Sequence, residues 1–226
     1  MGVVISKPAI NLREQLTELK ATQGYEEQQF HFDGLVTNGT FDTDLTGWTD
    51  NSEGSGSTSW SSGVAVLTNG GSTNDEGVIY QTLTTVTGST YVLEVDRPSG
   101  SVIAQIGTGG AGSSNIYQSN NGTGSIVHTF VATSTATIVT LRNFNNTGDS
   151  QVDNISVYEV DPNDSNKVIH TMPKGWKPLH VFEDGALQRE GSAYDYTVEY
   201  DGFNYVIKET VAPVAPYSTT VIGVRA

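Results

Sequence analysis

The chain has no cysteine. This excludes disulfides, thiolate metal sites and a cysteine nucleophile together, and leaves packing, association or a hard metal ion to stabilise the fold. Basic residues are few: 11 Lys and Arg stand against 25 Asp and Glu, for a formal net charge of −14. Between Ala21 and Leu141 the only basic residue is Arg97, so that segment holds no basic patch. A phosphate backbone and an anionic membrane surface would both be repelled, and neither nucleic acid nor membrane is an expected partner. No stretch reaches the roughly 18 apolar residues of a membrane span, and MGVVISKPAIN carries no apolar run long enough for a signal peptide.

Signatures of catalysis are also missing. His31, His128, His170 and His180 form no H-x-x-x-H or H-E-x-x-H arrangement, and the serines form no G-x-S-x-G elbow. Gly107-Thr108-Gly109-Gly110 neither opens a helix nor precedes a lysine, so it is no phosphate cradle. Glu94 and Asp96 share a face two residues apart, which strand alternation alone produces. The expected protein is not an enzyme.

What is present is glycine, 25 residues of it, with Ser, Thr and Asn between short runs of Val, Ile, Leu and Tyr. That composition fits many short strands joined by turns. Residues 65–68, 78–83, 91–96, 102–106, 125–132, 135–141 and 154–159 read as strands. In the run from Tyr91 to Asp96, Tyr91, Leu93 and Val95 take one face, and Glu94 and Asp96 the other. In the run from Ala136 to Leu141 both faces carry apolar residues, so that strand is expected to be buried on both sides. The fold class expected is mostly β, an antiparallel β-sandwich of jelly-roll type.

The two ends differ from this middle. Residues 8–21 read as a helix: Leu12, Leu16 and Leu19 form one apolar stripe, Asn11 and Glu14 a capping box, and Gly24 a stop. The stripe needs a surface, either the chain's own β-domain or a neighbouring subunit, and the latter makes these leucines an assembly anchor. Gln23, Glu26, Glu27, Gln28 and Gln29 read as a polar link. After Asp161-Pro162-Asn163-Asp164-Ser165-Asn166, read as a turn-rich linker, two Asp-Gly pairs at 184–185 and 201–202 mark hairpins, and residues 219–224 a last strand. The organisation expected is an arm with a short helix at 1–34, a sandwich at 35–160 and a small β-module at 161–226.

Two motifs carry a resemblance. Leu35-Val36-Thr37-Asn38-Gly39-Thr40-Phe41 followed by Gly47-Trp48 resembles the opening of carbohydrate-binding-module-type sandwiches of the galactose-binding-like superfamily. Val152-Asp153-Asn154-Ile155-Ser156-Val157 resembles their closing strand. The resemblance implies a structural Ca²⁺ joining first and last strands, with oxygen ligands at Asn38, Thr40 and Asp153. It also implies possible sugar binding on aromatic rings, for which Trp60, Tyr80 and Tyr117 are the candidates. Trp48 is expected in the core.

The opening motif, the lead Ile10-Asn11-Leu12-Arg13-Glu14, and the run from Val181 to Gly191 with Tyr194-Asp195-Tyr196 are similar to segments of tailed-bacteriophage virion structural proteins. That likeness implies a capsid decoration or cement protein, or a head fibre. Such a protein would be made in the host cytoplasm, displayed on the virion surface, bound to capsid or other virion proteins, and assembled as a homo-oligomer, a trimer. The alternative it leaves open is a tail-fibre or receptor-binding module that recognises a host glycan.

Overall fold

The computed structural model describes residues 27–72, 74–145, 148–183, 185–193, 195–209 and 218–226. The expected helix with Leu12, Leu16 and Leu19 lies outside these residues. The described residues hold seventeen strands and no helix. In chain order they are β1 (Glu27–Asp33), β2 (Thr49–Asp50), β3 (Ser57–Ser61), β4 (Val64–Asn69), β5 (Val78–Thr84), β6 (Thr90–Ser99), β7 (Val102–Gly107), β8 (Tyr117–Gln118) and β9 (Ile126–Val131). There follow β10 (Ala136–Asn143), β11 (Gly148–Asp161), β12 (Asp164–Thr171), β13 (Trp176–Glu183), β14 (Ala186–Leu187), β15 (Tyr196–Tyr200), β16 (Tyr205–Glu209) and β17 (Ser218–Arg225).

Two sheets make the sandwich. One has five strands in the order β2-β5-β10-β7-β8. The other is built on β11, which pairs with β6 along one side and with β4 and then β12 along the other; β9 borders β6 and β3 borders β4. Period-2 alternation decides what lies between the sheets. Ile79, Leu83, Ala104, Ile106, Val139 and Leu141 point inward from the first sheet. Ala65, Leu67, Leu93, Val95, Val152 and Val157 meet them from the second. The expected β-sandwich is thus present: five of the seven expected strands lie within observed ones, and those expected at 125–132 and 135–141 overlap β9 and β10 but begin one residue early, the first also ending one residue late.

The two resembling motifs meet in space. Gly39 lies so close to β11 that a Cβ there would fall 1.9 Å from the Ile155 carbonyl oxygen, and Ile155 N–H donates to Gly39 O over 2.9 Å. Phe41, at φ 49°, turns fully into the core beside Trp48, their ring centroids 5.6 Å apart. The Trp48 indole N–H donates to the Asn38 carbonyl over 3.0 Å. The glycine is required by close approach, and the tryptophan is held by its hydrogen bond.

Two sequence expectations need correcting. The turn-rich segment at 161–166 is no linker: Asp161 and Asp164 pair across a tight turn, so β11 runs on into β12 within one sheet. The Asp161 carboxylate accepts the Asn163 N–H over 2.8 Å and the Lys208 ammonium over 2.9 Å, which fixes the turn. Glu27, Gln28 and Gln29 of the polar link belong to β1, paired in register with Val224, Gly223 and Ile222 of β17.

β1, β17, β13 and β14 form a third sheet. Between it and β12, β16 and β15 lie Met172, Trp176, Val181, Tyr196, Ile207 and Val221. Gly223 permits the approach, since a Cβ there would stand 2.8 Å from Met172 Cε and from the Phe30 ring. Both Asp-Gly hairpins are observed, as β13–β14 and β15–β16.

Candidate functional site

The outer face of the five-stranded sheet carries an unusual polar row. Strand register sets Thr49 opposite Tyr80, Tyr80 opposite Thr140, Thr140 opposite Gln105, and Gln105 opposite Gln118. These five share the face away from the core because their chain neighbours Ile79, Val139, Leu141, Ala104 and Ile106 point inward. One step along, Arg142 lies between Val78 and Ile103. Its guanidinium is paired to Glu76, which is buried, so the pair adds no net charge.

The glycine-rich loop 108–116 crosses this face. Gly112 N–H donates to Thr140 Oγ1 over 3.0 Å. Asn115 ties the loop to itself, accepting Thr108 N–H at 2.9 Å and Ser113 Oγ–H at 2.9 Å. The cover buries Thr140 and Gln105, the latter to 4% exposure. This answers the expectation for β10: it is buried on both sides, by the core on one and largely by the loop on the other.

Gln105 is the residue that needs explaining. Its Nε2 donates to Gln118 Oε1 over 2.8 Å, while its own Oε1 is buried with no hydrogen-bond partner. An orphaned buried carbonyl costs about 1–3 kcal/mol. The oxygen is an acceptor whose capacity is unused.

The three expected aromatic ligand residues do not come together. Tyr80 lies on the polar row. Tyr117 is half-buried, points inward against the core and stacks on His128, centroids 3.5 Å apart and planes within 10°. That stack closes the sandwich edge between β8 and β9, and burial holds the His128 pKa below its ordinary value. Trp60 sits on β3 in the other sheet, 41% exposed, its indole N–H donated to the Phe41 carbonyl. Sequence reading missed Gln105, Gln118, Thr140 and the Arg142–Glu76 pair. The one available signal was a glutamine amid apolar residues in Val102-Ile103-Ala104-Gln105-Ile106.

The expected Ca²⁺ ligands divide. Asn38 braces its own turn: its Nδ2 donates to the carbonyls of Asp44 and Thr46 at 2.9 and 3.0 Å. Thr40 is half-buried in the same segment. The Asp153 carboxyl has its pKa raised by partial burial and by the nearby charges of Asp96 and Asp42, although the Asn154 N–H bound to it works the other way. Among the described residues no group of three or more acidic or histidine side chains is placed to hold a metal by itself. An ion there would draw further oxygens from the backbone around Gly39 and Asn154. The Asp153 carboxyl, whose charged form is disfavoured by burial and by Asp96 and Asp42, is the feature that fits it.

A separate cleft of about 230 Å3 lies where β11 continues into β12, bordered by Leu35, Val86, Tyr158, Glu159, Val168 and His170. Behind it His170 Nε2 and Glu209 Oε1 are 2.8 Å apart, both buried, and Thr219 Oγ1 donates to the same oxygen over 2.9 Å.

No family model matches the chain, and no curated protein matches it. Solved structures similar to it include a protein described as CBM4, at 14% identity and TM-score 0.44, covering 55% of this chain and 99% of that one. TmCBM61, solved with β-1,4-galactotriose, is 13% identical with TM-score 0.42, over 57% of this chain and 99% of the other. The enzymatically active domain of bacteriophage CBA120 tailspike protein 4 is 15% identical with TM-score 0.42, over 56% of this chain but 21% of that one. Likenesses this distant leave the function to the geometry.

Proposed function

We propose that the sandwich is a non-catalytic glycan-binding module, holding a neutral, hydroxyl-rich sugar against the outer face of its five-stranded sheet. The observation that carries this is the buried, unpartnered Gln105 oxygen in a polar row that also holds the Tyr80 ring. A sugar hydroxyl that displaces part of the loop at 108–116 satisfies the oxygen, and the C–H face of the ring system packs on Tyr80. The ligand is neutral because the charges beside the row, Arg142 and Glu76, already neutralise one another. That pairing also occupies the buried carboxylate nearest the row, and a bound sugar is held rather than cleaved.

Titration calorimetry against a panel of neutral oligosaccharides, β-1,4-galactotriose among them, tests this. Tyr80→Ala weakens binding by about tenfold or more, roughly 1.4 kcal/mol. Gln105→Leu weakens binding similarly yet stabilises the fold by about 1 kcal/mol, because it removes the orphaned oxygen. Absence of binding across the panel, or affinity indifferent to both substitutions, rejects the reading.

The motif resemblance supplies the setting: display on a bacteriophage particle, where recognition of a host-surface glycan by a tail-fibre or receptor-binding module uses such a face directly. Capsid decoration is the role for the same module if it binds no sugar. A structural Ca²⁺ at Asp153 belongs to this reading as a brace between the opening turn and β11. With it, EDTA lowers the melting temperature, and Asp153→Ala abolishes the difference.

A further inference from the structure

The sheet built on β11 ends at β9, which among the described residues pairs only with β6. Exposed sheet edges are ordinarily blunted by a lysine, a proline, a bulge or a covering segment, because an open row of backbone groups recruits another strand. Among the described residues β9 has none of these: Ile126-Val127-His128-Thr129-Phe130-Val131 contains no lysine, arginine, carboxylate or proline, and its pairing to β6 runs without a register shift. Of its three outward positions, two are apolar and open, Val127 at 69% exposure and Val131 at 49%, with Thr129 between them.

We propose that β9 is a self-association edge, pairing antiparallel with β9 of a second copy of this chain about a two-fold axis through Thr129. Charge selects the occupant. On a chain of net charge −14, another copy can approach closely only along a strip free of carboxylates, and β9 is such a strip on both partners. Facing selects the register. Val127, Thr129 and Val131 point outward while Ile126, His128 and Phe130 point inward, so pairing centred on one residue keeps outward opposite outward. With Thr129 at the centre, Val127 falls opposite Val131 of the second copy, twice, and His128 opposite its Phe130. Two apolar β-branched pairs form and no like charges are opposed. The arrangement closes on itself, since one contact uses the free edge of both copies.

The axis of such a pairing is normal to the sheet. Both five-stranded sheets therefore lie on one side of the joined sheet, and both Tyr80–Gln105 rows face the same way. Bivalent attachment to a glycan surface follows, with the gain in avidity that two linked sites give. This consequence, unlike the pairing, rests on the glycan reading.

Sedimentation equilibrium of the full chain, from about 1 to 100 µM at about 0.15 M salt, tests the pairing. The expected result is a monomer–dimer equilibrium that tightens as salt screens the net charge. Val127→Lys with Val131→Lys weakens it about 100-fold with strand content unchanged by circular dichroism, because lysines then oppose lysines. Ser57→Lys with Ser59→Lys, on the opposite edge at β3, leaves the dimer intact. A monomer throughout, a trimer, or a dimer indifferent to the β9 lysines overturns the proposal. So does a dimer that the β3 lysines dissociate equally.

Discussion

The sandwich and the C-terminal unit of β1 and β12–β17 use the same antiparallel hairpins but fill their interiors differently. Between the sandwich sheets lie large apolar side chains, Phe41, Leu67, Leu93, Ile106 and Leu141 among them, each fully buried. The polar groups admitted there include neutral amides with their bonds made. Gln81 accepts from Thr37 N–H and donates to the carbonyls of Thr37 and Gly47. Asn143 donates to the carbonyls of Leu67 and Gly148 and accepts from Asn145 N–H. The C-terminal unit has a smaller apolar centre and places the His170–Glu209 pair in its interior, with one Glu209 oxygen unpartnered. A large core tolerates polar groups that are neutral and satisfied. A small one that buries a hydrogen-bonded His–Glu pair depends on that pair staying matched.

The largest expected effect tests the sandwich side of this contrast. Phe41→Ala removes a fully buried ring at the join of the opening turn and the core. It costs about 4 kcal/mol in urea unfolding, within the usual range for such truncations. The tryptophans report it separately, Trp48 and Trp60 from the sandwich and Trp176 from the C-terminal unit. If all three change in one transition, the two regions are a single cooperative unit through the shared β11–β12 hairpin.

Next in size is Glu209→Ala, which removes the buried partner of both His170 Nε2 and Thr219 Oγ1 and costs about 3 kcal/mol. The loss is expected in the Trp176 signal. Replacing both partners by leucine recovers most of it, since two apolar side chains need no matching. Equal loss in the single and double variants contradicts the view that pairing, not packing volume, is what Glu209 supplies.

The smallest effect separates an edge of the sandwich from its centre. Burial lowers the His128 pKa in the folded chain, so the proton prefers the unfolded state. The stabilisation from neutral His128 is therefore fully present above its ordinary value of 6.5 and is lost as pH falls through the lower folded-state value. His128→Phe keeps a ring on Tyr117 and removes that component of the acid sensitivity, read as a flatter melting temperature from about pH 7 to 5. An unchanged profile would place the acid sensitivity elsewhere.

Much of the sandwich was legible in the sequence because alternation and turn chemistry are local. Strand faces in β6 and β10, the hairpins at Asp201-Gly202 and 184–185, and the last strand all follow from neighbours within a few residues. The opening and closing motifs were legible for a less local reason. Gly39 and Trp48 are forced by backbone approach and a single indole bond, so their residue types survive in the text. The segment 161–166 misled because a tight hairpin turn and a flexible linker draw on the same residues, Asp, Asn, Pro and Ser. The polar start of β1 misled because an edge strand of a thin sheet needs few apolar side chains, and its partner β17 lies almost two hundred residues away.

By itself, then, the sequence determined the β class, the turn positions, the acidic, cysteine-free character that removes thiol chemistry, and the glycine and aromatic positions that join the sandwich's two ends. Only the tertiary structure decided which polar residues share a face. Gln105 is one glutamine in an apolar strand until register sets it between Thr140 and Gln118 and the loop at 108–116 buries it. The reason is physical. Alternation is written within a strand, but which strand lies alongside, and what then covers it, depends on contacts tens of residues apart that no local pattern encodes.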